Sequence, residues 1–165
     1  MYKPNYSKIV EVLESRSLGS GCDNLNRFVS EKDFDRSIWE CSRSLLMDNE
    51  DLLRVYGERW AWEQFESGVL KIGKFHSSLN CIDWVFTELS LLRSAIVPGF
   101  DELNAMVLSC GPNNLSIRVI CHKRGAPFLE GVAKGIARAY QENVETRMRI
   151  LNPSCSDLQL RRLAR

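Results

Sequence analysis

Histidine is scarce in this chain: there are two in 165 residues, His76 and His122. A metal site built on several imidazoles is therefore excluded. Prolines number five and glycines ten, too few for a collagenous or low-complexity chain. No apolar run approaches the roughly 20 residues that a membrane-spanning helix requires. The first residues, Met1-Tyr2-Lys3-Pro4-Asn5-Tyr6, lack the apolar stretch of a secretion signal, so a cytoplasmic location is expected. Charge of one sign is also lacking: the formal net charge is +1, which nominates neither nucleic acid nor a membrane surface as partner. The catalytic signatures GxSxG, HExxH, GxGxxG and the Walker loop are all missing, so no enzyme class is indicated. Cys121 and His122 are adjacent, and neighbours on a strand point to opposite faces, so they do not form a nucleophile–base pair.

What is present is an ordinary globular composition, 44% hydrophobic and 26% charged, on a chain long enough for one domain with a core. The charge balance hides an asymmetry. From residue 116 onward there are ten Lys/Arg against four Asp/Glu, and before it twelve against seventeen. A basic back half on an acidic front half fits either an anion site or two parts that attract each other. The six cysteines, Cys22, Cys41, Cys81, Cys110, Cys121 and Cys155, contain no CxxC pair and no zinc-ribbon spacing. They are expected to be reduced thiols, mostly buried as small apolar groups, and no metal site is assigned.

Hydrophobic spacing divides the chain. Apolar residues recur every three or four positions at 6–15, 33–46 and, after a cap at Asn49-Glu50-Asp51, from Leu52 to Trp62. The same spacing over 68–96 (Leu70, Phe75, Leu79, Ile82, Val85, Phe86, Leu89, Leu92) predicts one long helix ending at Pro98-Gly99. Residues 18–23, LGSGCD, mark a turn. Beyond Phe100 the period becomes two. Strands are expected at 105–110 and 115–121, joined as a hairpin by the turn Gly111-Pro112-Asn113-Asn114. A helix follows at 126–141, with Pro127 in its first turn, then strands at 144–151 and 158–163. The expected fold is α+β, a helical part over 1–104 followed by a four-stranded antiparallel sheet (ββαββ) with a covering helix over 105–165. Gly131 and Gly135, one turn apart, imply that the covering helix sits tightly on the sheet. Trp60 and Trp84 are expected in the core.

The run Leu52-Leu53-Arg54-Val55-Tyr56-Gly57-Glu58-Arg59-Trp60 resembles the "ELL-x-x-FGEYW"-like signature of H-NOX domains, the heme nitric oxide/oxygen-binding sensors. The order of elements that follows is similar too, over roughly residues 33–165. The resemblance implies the H-NOX fold, a single domain and a sensory rather than enzymatic role. It also implies an effector partner or fused effector domain such as a histidine kinase, a cyclic-dinucleotide enzyme or a chemotaxis receptor.

The resemblance implies heme as cofactor as well, held by a histidine in a context like "LDNLH". The matching position is Arg93, in Glu88-Leu89-Ser90-Leu91-Leu92-Arg93. A guanidinium stays protonated and has no lone pair for iron. The family's "YxSxR" propionate clamp matches Ile120-Cys121-His122-Lys123-Arg124, with the arginine kept and the tyrosine and serine replaced. On one continuous helix His76 and Cys81 would stand about 26 Å and about 18 Å from Arg93, too far to replace the missing ligand. The candidate ligand-binding residues are therefore Arg93, His122 and Arg124, a basic set suited to an anionic ligand. Three readings follow. The first is a sensory domain with a degenerate heme site that binds a non-heme small ligand or acts through protein contacts. The others are a heme gas sensor with an unconventional axial ligand, and a ligand-free interaction domain.

Overall fold

The structure, a computed structural model, describes residues 31–88, 104–121 and 124–163. The expected helix at 6–15, the turn at 18–23 and the Pro98-Gly99 terminus lie outside the described residues. The described elements are α1 (Glu31–Leu45), α2 (Asn49–Glu66), α3 (Ser78–Thr87), β1 (Asn104–Cys110), β2 (Asn114–Ile120), α4 (Gly125–Ala139), β3 (Val144–Asn152) and β4 (Cys155–Arg162). This is the expected α+β order, helices first and then ββαββ.

The elements begin where their end chemistry allows. Asp48 caps α2, its carboxylate accepting from the Glu50 amide at 2.9 Å, one residue before the predicted cap. Glu50 and Asp51 then fall in the first turn, where the helix dipole favours negative charge. Ser77 caps α3 and accepts from the Asn80 amide.

That cap corrects the expectation of one helix over 68–96. Residues 68–77 are turns and bends, and α3 stops at Thr87. Gly68 and Gly73 take φ of +75° and +92°, a left-handed backbone that ends helical continuity. Leu70 is nevertheless buried and Phe75 half-buried against Trp84, with ring centroids 5.4 Å apart. The loop turns apolar side chains into the core, and this copied a helical period. His76 lies in this loop and not on a helix, and Arg93 lies outside the described residues.

The sheet is antiparallel with strand order β1-β2-β4-β3. β4 begins at Cys155, three residues before the predicted start. Its inner face pairs Leu115 with Leu160 and Ile117 with Leu158, all buried. α3 packs near β1 and β2, while α4 meets β3 and lies along α2. The inner face is thus covered by two helices.

Gly131 and Gly135 serve that helix pair and not the sheet, which corrects the sequence expectation. A Cβ on Gly131 would strike the Arg54 carbonyl, and one on Gly135 would lie 2.8 Å from the Glu58 carbonyl. From the other side, a Cβ on Gly57 would strike the Phe128 carbonyl. Three glycines on two helices bring the backbones of α2 and α4 into contact. Around the seam Trp60 is 5% exposed and its ring stands 6.1 Å from that of Phe128. Trp84 is partly buried against the core, as expected, while Trp39 (51% exposed) and Trp62 (43%) face outward.

Candidate functional site

Of the three candidate ligand-binding residues, the structure places Arg124; Arg93 and His122 lie outside the described residues. Arg124 stands between the end of β2 and the first turn of α4 and is half-buried. Its position there follows from the strand ending at Ile120 and the helix starting at Gly125.

The substitute iron donors weighed from the sequence can be tested directly. His76 sits in the exposed loop before α3. Cys81 is buried beside the Tyr140 hydroxyl, and burial pushes its thiol up to about 11. Burial, with Cys155 nearby, pushes the Cys121 thiol up to about 12. The thiolate is the ligating form, so both cysteines are poor donors at neutral pH. Among the described residues no group of three His, Cys, Asp or Glu side chains could hold a metal ion.

The structure also reveals a polar network that sequence reading missed. Glu130 of α4 is 7% exposed. Its carboxylate accepts from Arg54 Nε of α2 at 2.8 Å and from Thr146 Oγ1 of β3 at 2.8 Å, and lies 2.7 Å from Lys134 Nζ. Burial alone would raise its pKa. The hydrogen bonds from Lys134, Arg54 and Thr146 outweigh that and hold it below the usual carboxylate range. Arg54 also reaches Asp51 at 2.8 Å and Glu50 at 3.1 Å. One turn on, Glu58 pairs with Arg138 of α4 at 2.8 Å. Burial raises the Glu58 pKa, opposed by the charges of Arg138 and Lys134. A second network runs from Ser78, whose hydroxyl donates to Glu142 Oε2 at 2.7 Å, through Arg162 to Asn113 in the β1–β2 turn.

Chemically these networks position; they tie α2 and α3 to the ββαββ unit at fixed points. Arg54 and Glu58 lie inside the run that carries the family resemblance. The i, i+4 pair Glu130–Lys134 was legible in the sequence. The joining of the two helices was not, because residues 76 apart carry no local signal of contact.

No family profile matches the chain, and no curated relative matches it by sequence. Solved structures do match. An Fe(II) unliganded H-NOX protein from K. algicida superposes with a TM-score of 0.69 at 12% identity, covering 96% of this chain and 88% of that one. An S. oneidensis H-NOX protein in the Fe(II)NO ligation state gives 0.68 at 13%, covering 96% and 90%. A point mutant of T. tengcongensis H-NOX gives 0.62 at 13%, covering 96% and 88%. The chain therefore has an H-NOX-like fold.

Proposed function

We propose that the protein is a non-enzymatic sensory or regulatory domain of H-NOX-like fold whose heme site has been converted. The observation that carries this reading is the arginine at 93, where the resemblance calls for an iron-ligating histidine. It is supported by the H-NOX-like fold. Arg93, His122 and Arg124 form the anion-binding set, and the ligand is a small carboxylate-bearing molecule other than heme. Two guanidinium groups recognise carboxylates bidentately and keep their charge at any physiological pH. The domain passes its state to a signalling effector through protein contacts.

An absorption spectrum of protein purified from heme-supplied cells tests this. The wild-type chain is expected to show no Soret band, and Arg93→His is expected to create or strengthen one. A Soret band in the wild type would replace this reading with that of a heme sensor using an unconventional ligand. Negligible heme uptake by the R93H variant would overturn the placement of Arg93 at the iron.

A further inference from the structure

The outer face of the sheet, turned away from α3 and α4, has an uneven charge. Strand register sets it out in rows. Asn114, Arg161 and Glu145 form one row across β2, β4 and β3. Ser109, Ser116, Gln159 and Arg147 form the next, and Met106, Arg118, Asp157 and Arg149 the third. These rows hold four arginines, two carboxylates, no lysine and no aromatic residue. Arg147, Arg149 and Arg161 are exposed. Arg147 folds back onto Glu145 of its own strand at 3.0 Å. Among the described residues Arg161 has no ion-pair partner. Arg147 and Arg161, with Ser116, Gln159, Asn114 and the carboxylate of Glu145, line a concavity of about 550 Å³ on this face.

We propose that this face is a docking surface for an acidic segment of a partner protein, whose Asp or Glu carboxylates are taken by Arg147, Arg161 and Arg149. The face already displays the recognition in question. Arg118 grips Asp157 in a fork, Nε to Oδ1 at 2.8 Å and Nη2 to Oδ2 at 3.0 Å. Two rows away, Arg161 carries the same planar guanidinium, and Arg147 stands in the row between. Open faces of antiparallel sheets are usually polar, but with both signs interspersed; here the excess is wholly guanidinium.

Charge complementarity selects the occupant. A single-stranded nucleic acid would need stacking platforms, and these rows have no aromatic residue. Glu145 and Asp157 would repel a continuous row of phosphates, whereas discrete carboxylates can be spaced around them. Arginine is also the charged residue most often found at the energetic centre of protein interfaces. The inference rests on the proposed function only in taking the protein to act through a partner, and it requires no ligand near Arg93.

The probe is a fluorescein-labelled peptide of alternating Glu and Ser, titrated with the full chain at about 20 mM and about 300 mM salt and read by fluorescence anisotropy. Binding at low salt that weakens at high salt is expected. Arg147→Glu combined with Arg161→Glu is expected to weaken it tenfold or more. Arg36→Glu with Arg43→Glu on α1, an equal change of net charge, is expected to leave it within about twofold. The milder Arg161→Gln is expected to weaken binding severalfold if the double variant does not fold. No binding at low salt, or equal weakening by both double variants, would overturn the proposal. So would displacement of the peptide by inorganic phosphate at concentrations where acetate is without effect, since that would mark a small-anion site. None of these readouts depends on heme uptake, so failure here and failure of the R93H experiment are separable.

Discussion

At Glu130, burial and pairing oppose each other, and pairing wins because three donors converge on one carboxylate. Removing the charge takes one partner from Arg54, which keeps Asp51 and Glu50, and the partner of the half-exposed Lys134. Glu130→Ala is expected to destabilise the fold by about 2 kcal/mol in urea denaturation, the scale of lost hydrogen bonds to a charged group. The pH dependence has a definite sign. The folded pKa of Glu130 lies below its ordinary 4.5, so its contribution is fully present above pH 4.5 and is lost as pH falls through the folded value. Asp157, held below 3.8 by Arg118, acts in the same direction. Glu58, with its pKa raised, acts oppositely and gains as pH falls. Stability measured as a function of pH should decline below about 4.5, and Glu130→Gln should flatten that limb. A Glu130→Gln protein with an unchanged acid limb would show that the carboxylate is not the group responsible.

Among the elements, the α2–α4 pair has the narrowest tolerance. Gly57 and Gly131 each face a backbone carbonyl of the opposite helix, and backbone cannot rotate away as a side chain can. Gly131→Ala or Gly57→Ala is therefore expected to cost about 3 kcal/mol, overpacking outweighing the helix propensity gained. Chemical denaturation measures it; a neutral or stabilising Ala at either position would mean that the helices separate easily. Periodicity could not have separated this seam from the sheet contact expected of the same glycines. A stripe lacking Cβ atoms announces a close neighbour without identifying it. The misreading of 68–96 has a similar origin, since Leu70 and Phe75 reach the core from a loop and fall on helical spacing by coincidence. The glycines at 68 and 73 and the serine pair at 77–78 were the signals that pointed the other way.

For the molecule as a whole, the glycine seam, the Glu130 cluster and the Ser78–Glu142–Arg162 link bind the helices to the sheet through one continuous core. Unfolding is expected to be a single transition, with far-UV circular dichroism and tryptophan fluorescence coincident, Trp60 reporting on the seam. Two separated transitions would show that the helical part and the ββαββ unit are independently stable. The basic back half noticed in the sequence acquires a location here, because four of its arginines share the outer face of the sheet.

Local periodicity and end chemistry by themselves determined the helices α1, α2 and α4, the β1–β2 hairpin and the α+β order. One buried face imposes period two on a strand and about 3.6 on a helix, whatever lies opposite. The sequence also singled out Arg124 and the arginine at 93 by their places in recognisable runs. Only the tertiary structure decided that α4 packs backbone to backbone with α2, and that Glu130 joins three elements. It alone brought Arg118, Arg147, Arg149 and Arg161 onto one surface. Those facts depend on which segments meet across long stretches of chain, and the meeting is set by the packing of the whole core, which no local spacing encodes.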